Sequence, residues 1–192
     1  VYVMPSAGGT PKRLTFTATL GRDDVSDRMG PNNIVMGWTP DGKNILFRSR
    51  MNSFNDFIGQ LFTVSVDGSL PEQLPLPRGG FASYSPDGSK LVFDSRDGRI
   101  WESNADGSGT HALTAATPID PETRRPLWAD QEPAWSGDSK TVYFTRTSTG
   151  VGSPAGPAIE AIPAAGNPGQ ETAFLSLKGT HLSVAANGTL AY

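Results

Sequence analysis

The sequence predicts an all-β fold, a β-propeller of four-stranded antiparallel blades, and three observations carry that prediction. A strand–turn–strand unit recurs at residues 35–47, 81–93, 132–144 and 181–192, about every 50 residues, close to the roughly 40–50 residues of one blade. A second hairpin pattern follows each complete copy. The composition, with 22 Gly, 16 Pro and 36% hydrophobic residues, suits short strands joined by many turns. A unit of this length cannot bury its own apolar face, so it must stack on copies of itself.

Residues 1–4 and 11–15, separated by Gly8-Gly9, form the first hairpin and match the second half of a repeat. Residues 35–47 then turn at Thr39-Pro40-Asp41-Gly42, where Pro presets φ, Asp favours turn geometry and Gly supplies a positive φ. Residues 60–66 alternate apolar and polar side chains, turn at Asp67-Gly68-Ser69 and return through 72–76. The next repeat turns at Ser85-Pro86-Asp87-Gly88 and continues with 99–104 and 110–114. The third turns at Ser136-Gly137-Asp138-Ser139, with the turn roles shuffled, and continues with 158–162 and 171–175. The last copy keeps only Asn187-Gly188 of the turn, which also accounts for the Asn187-Gly188-Thr189 sequon. No stretch shows a 3.6-residue apolar period, so no helix longer than a turn is expected.

The repeats therefore fall at about 1–15 with 180–192, 33–76, 80–114 and 131–175, a single propeller or part-propeller domain over 1–192. The chain opens with the second half of a repeat and closes with the first half. Pairing the two ends would give about four blades per chain, one of them shared between N- and C-terminal strands, and would hide open edges. The same ends could complete a blade in a second copy, making a homodimer, or belong to a larger parent ring.

Net charge of −3 gives no reason to expect nucleic acid or an anionic membrane as partner. No apolar run approaches the ~18 residues of a membrane span. There is no cysteine, hence no disulfide framework or thiolate metal site.

The stretches Trp38-Thr-Pro-Asp-Gly-Lys43 and Tyr84-Ser-Pro-Asp-Gly-Ser-Lys-Leu-Val-Phe-Asp-Ser-Arg96 resemble the WD40-like (PD40) propeller repeats of the TolB and tricorn-protease families. The repeat-level resemblance covers nearly the whole chain. Residues 1–15, 62–68, 74–77 and 87–88 are particularly similar to the N-terminal propeller of tricorn-type proteases. The resemblance implies a non-catalytic module: tricorn-type propellers guide peptides to a separate catalytic domain, and TolB-type propellers engage proteins. It implies a cytoplasmic setting if tricorn-like and a periplasmic one if TolB-like. The tricorn catalytic portion has no counterpart in these residues, so no nucleophile is carried over.

In an up-and-down blade the first-to-second and third-to-fourth turns share one face, and here they are uniformly tight. The long segments 16–33, 50–59, 117–130 and 147–157 all fall on the other face. Loops on a rigid scaffold are where binding residues concentrate, so a polypeptide or protein partner is expected there. Candidate binding residues are Arg22, Asp24, Arg28, Arg50, Arg124, Arg125 and Trp128. Paired guanidiniums at 124–125 can grip a carboxylate, and the Trp128 indole can cover an apolar group or serve as a lid over the sheet.

The mixed-charge run Arg22-Asp23-Asp24 to Asp27-Arg28 lacks calcium-loop spacing and reads as a solvated loop. His111 and His181 read as structural, and Trp38, Tyr84 and Trp135 as inter-blade packing. No cofactor, metal or catalytic residue is assigned. A loop-borne acidic and arginine site of a hydrolase or lyase is the enzymatic alternative, and a self-assembling fragment the third. Light scattering separates the closures: a monomeric mass is expected if both ends share a blade within one chain, a dimeric mass if half-rings join.

Overall fold

A computed structural model describes residues 1–16, 32–52, 59–124, 126–148, 158–175, 182–185 and 187–192. None of these residues is helical, so no helix among them is long and apolar enough to cross a membrane. The chain divides into two compact units, Val1–Gly79 and Gly80–Tyr192.

The first unit holds a two-stranded sheet, β1 (Tyr2–Val3) with β2 (Lys12–Arg13). It is followed by a four-stranded antiparallel sheet of β3 (Asn33–Trp38), β4 (Asn44–Ser49), β5 (Gln60–Ser65) and β6 (Glu72–Gln73), paired in chain order. Its core joins Leu14, Ile45, Phe47, Phe62 and Val64, with Val1, Val3, Met51 and Val66 packed against them. The Phe47 and Phe62 rings stack at 5.7 Å. The β1–β2 ribbon thus lends its apolar side to the neighbouring sheet, which a two-stranded ribbon must do to be stable.

The second unit repeats this plan twice. One sheet runs β7 (Gly79–Tyr84), β8 (Lys90–Ser95), β9 (Ile100–Asn104) and β10 (His111–Ala112). The next runs β11 (Trp128–Trp135), β12 (Thr141–Ser148), β13 (Ala158–Pro163) and β14 (Thr172–Leu175). A final ribbon pairs β15 (Ser183–Val184) with β16 (Leu190–Ala191). Three four-stranded antiparallel blades are the all-β architecture that the repeats predict, while the two terminal hairpins each form a two-stranded sheet of their own rather than one shared sheet among the described residues. The outermost strands of the first two blades are shorter than their sequence patterns: β6 and β10 each keep two paired residues.

The blade turns share one chemistry. Asp41, Asp87 and Asp138 each accept a hydroxyl proton from the residue two before, Thr39 at 2.6 Å, Ser85 at 2.7 Å and Ser136 at 2.6 Å. Each also accepts the backbone N–H two residues on, from Lys43, Ser89 and Lys140. These bonds, hydroxyl first, hold all three carboxyls below the ordinary 3.8. Gly42, Gly88 and Gly188 take the positive φ, whereas in the third blade Ser139 occupies it at 60°.

Blade-to-blade packing in the second unit is apolar in its middle. Val92, Ile100 and Leu113 meet Trp135, Val142, Phe144 and Ile162, all buried. Trp135 donates its indole N–H to the Ser83 carbonyl of the preceding blade at 3.0 Å, the inter-blade role expected of it. Trp38 differs, with 52% of its surface exposed. The sheet before it in its own unit is only the β1–β2 ribbon, which has no inner strand to receive an indole.

A buried carboxylate ties the inner strands together. Asp94 on β8 accepts the N–H groups of Gly80 (2.8 Å) and Phe81 (2.9 Å) through Oδ1, and of Glu132 on β11 (3.2 Å) through Oδ2. Gly80 is required by the closeness of Asp94 Oδ1 to the position a Cβ would take. We expect Asp94→Ala to lower stability by about 2–4 kcal/mol, since three backbone donors lose a charged acceptor. Gly80→Ala should destabilise in the same direction, and the double variant should cost less than the sum of the singles. Urea unfolding midpoints of the three variants check this.

Candidate functional site

The interface between the second and third blades carries polar groups at both ends of its apolar middle. At the long-loop end, the register pairs Asp130 with Arg146 across β11 and β12. Arg146 donates from Nε to Asp130 Oδ1 at 2.6 Å and from Nη2 to Oδ2 at 2.9 Å, a two-pronged grip, while Nη1 meets Glu160 Oε2 at 2.8 Å. Asp130 is 0% exposed, and its N–H donates to the Gly98 carbonyl at 2.9 Å. Trp128 lies over the guanidinium at 5.3 Å and Phe144 at 5.6 Å. Glu171 Oε1 accepts the Ala115 N–H.

Burial opposes the charge on Arg146, but the Asp130 hydrogen bond and the charges of Asp130, Glu160 and Glu171 outweigh it and raise its pKa. Burial pushes the Glu160 carboxyl up; Arg146 pulls it back, and Asp130 and Glu171 push it further up. With its donors engaged and its faces covered, this guanidinium is a pillar under the loop face rather than a free ligand-binding group.

At the tight-turn end the same interface opens into a cleft of about 490 Å³. Lys90, Glu102, His111 and Trp135 line it, with Ser139 and Asn167 at the turns. Lys90 Nζ lies 3.1 Å from Glu102 Oε1 and donates to Asn104 Oδ1 at 3.2 Å. Among the described residues no group of three or more His, Cys, Asp or Glu could hold a metal ion.

Of the residues singled out in the sequence, Arg22, Asp24, Arg28 and Arg125 lie outside the described residues, as does His181. Arg50 belongs to the first unit and is buried after β4, its N–H donating to the Asn32 carbonyl at 3.2 Å. Arg124 is exposed with φ 58° on the connector into β11. Trp128 opens β11, half-buried on Arg146, and its indole nitrogen has no hydrogen-bond partner among the described residues. Sequence reasoning missed Arg146, Asp130, Glu160 and the cleft around Glu102. One signal was available: period-two alternation puts Glu102 on the same face as Ile100, a charge where the pattern calls for an apolar side chain.

A family model for the tricorn protease N-terminal β-propeller domain matches residues 1–151. The chain belongs to that family. An uncharacterised protein of Agrobacterium fabrum is 28% identical over 119 residues, which is 59% of this chain and 35% of that protein. The Tol-Pal system protein TolB of Anaeromyxobacter dehalogenans is 34% identical over 87 residues, 43% of this chain and 19% of that one. The propeller thus spans about a third or less of the curated relatives it matches. Among solved structures, a candidate TolB from Agrobacterium tumefaciens matches 90% of this chain and 55% of its own, with TM-score 0.62 and 23% identity. A puromycin-hydrolysing peptidase of Mycobacterium tuberculosis matches 83% of this chain and 27% of its own, with TM-score 0.56 and 15% identity. At these identities the structural likeness shows the propeller fold alone.

Glu160 yields a pH prediction. Its folded pKa lies above the ordinary 4.5, so the folded state holds its proton more tightly than the unfolded chain. That contribution to stability is present at low pH and is lost as pH rises through the raised value. Glu160→Gln, neutral at every pH, lacks this titration, so its stability relative to the native chain should rise between about pH 5 and about pH 8. Urea midpoints at the two pH values read the difference; a gap independent of pH would contradict it.

Proposed function

We propose that this propeller is a non-catalytic binding module that engages a polypeptide segment or partner protein on its long-loop face. The supporting observation is the build of the connector before β11. Ile119 and Pro126 form an antiparallel bridge, and Leu127 N–H donates to the Pro118 carbonyl at 2.9 Å. Asp120 Oδ1 accepts the N–H groups of Glu122 (2.8 Å) and Thr123 (2.9 Å), and Trp128 N–H donates to Thr117 Oγ1 at 3.1 Å. These bonds hold an exposed Ile119 (54% exposed) and an exposed Arg124 on one fixed loop. Preordering an apolar side chain and a guanidinium in this way lowers the entropy lost on binding. A positive φ at a non-glycine residue such as Arg124 is the kind of local strain that collects at binding sites. The pair suits a peptide carrying a carboxylate beside an apolar side chain.

The family resemblance supports the same class of partner, since tricorn-type propellers are implied to guide peptides. Selecting peptides from a random displayed library on the immobilised protein tests the reading. Recovered peptides should be enriched in acidic and apolar residues. Arg124→Ala with Ile119→Ala should weaken them at least about tenfold, or ~1.4 kcal/mol, by fluorescence anisotropy. Unchanged binding by the folded double variant would remove the loop from the site.

A further inference from the structure

The cleft on the opposite, tight-turn face carries an observation of its own. Glu102 is 3% exposed and lies on β9 with its side chain between the second and third blades. Lys90 takes its Oε1, whereas Oε2 has no hydrogen-bond partner among the described residues. A buried carboxylate oxygen lacking a donor is rare in folded proteins and calls for one from outside.

Two donors of the lining are turned elsewhere. Trp135 Nε1–H is spent on the Ser83 carbonyl and Lys90 Nζ also serves Asn104. His111, the register partner of Glu102, has Nδ1 3.1 Å from the Gly109 carbonyl. A carbonyl can only accept, so Nδ1 is the donor there, and in the tautomer with its single proton on Nδ1 the other ring nitrogen, Nε2, is an acceptor. Two acceptors on neighbouring strands, Glu102 Oε2 and His111 Nε2, therefore border one cleft.

Charge selects among donors. Lys90 and Glu102 already neutralise each other, so a second cation would meet the Lys90 ammonium in a partly desolvated place. A neutral group with two N–H bonds suits the two acceptors without that repulsion. The geometry points to a binding site for a carboxamide, the side chain of Asn or Gln on a polypeptide, with its N–H groups on Glu102 and His111. This rests on the polypeptide-binding reading but places a separate contact on the other face.

The test is an NMR titration of the intact chain, watching the Trp135 indole and His111 ring signals. The probes are three capped tripeptides, acetyl-Gly-X-Gly-N-methylamide, with X as Gln, Glu or Arg, so that only the Gln peptide carries a primary carboxamide. The Gln peptide should shift both signals in a saturable way, with the Glu and Arg peptides at least about tenfold weaker. Glu102→Gln, which puts an amide where the carboxylate accepts, should weaken the Gln peptide about tenfold or more. His111→Ala, at an exposed position, should weaken it likewise and guards against misfolding of the buried variant. Arg124→Ala should leave this binding unchanged, so that failure here and failure of the loop-face reading stay distinct. Silence with all three peptides would mean that solvent alone serves Oε2. That result, preference for the Arg peptide, or equal binding by Glu102→Gln would each overturn the proposal.

Discussion

The constraint on which the rest depends is that a four-stranded blade has two faces and too little chain to cover either. In the second unit, one face of β7–β10 is covered by the third blade through Val92, Ile100, Leu113, Trp135, Val142, Phe144 and Ile162. Apolar burial supplies the attraction, at roughly 25 cal/mol per Å², but it is not directional. Alignment comes from polar contacts that cross the interface: Asp94 to the N–H of Glu132, Trp135 Nε1–H to Ser83, and Asp130 N–H to Gly98. Each joins one particular backbone group of a blade to one particular group of the next, so each works in only one register.

The two ends of this interface are finished differently. At the long-loop end Arg146, Asp130 and Glu160 close on one another, with aromatic rings over the guanidinium. Replacing such a cluster by apolar side chains is often no loss of stability, whereas removing one member strands the others. Its effect here is to fix where β11 begins, and so where the Ile119–Arg124 connector stands. At the tight-turn end the blades part, and the Lys90–Glu102 pair is left with one acceptor oxygen unspent. A closed pillar below one face and an open cleft below the other follow from where charged residues interrupt the strand pattern.

Much of the fold was legible in the chain. Turn triplets such as Ser85-Asp87-Gly88 specify their geometry within a few residues, and the contacts that enforce it, Ser85 Oγ and Ser89 N–H to Asp87, are local. The candidate site was less legible. Trp128 was singled out for its indole, but the group that positions it, Arg146, sits in a strand whose alternation looks unremarkable. Trp38 and Trp135 are equivalent in the repeat yet differ in burial. Equivalence in sequence sets where a side chain points, while the neighbour it meets depends on the sheet standing before it.

By itself, then, the sequence determined the repeat, the strand alternation, the turn chemistry and the family, because these are written in short-range spacing. Tertiary structure alone decided which polar residues face each other. Asp94 reaches the N–H of a residue 38 positions away, and Ala115 meets Glu171 across 56. Such pairs exist only after blades stack, since stacking brings distant strands to one plane and decides whether a buried charge finds its partner.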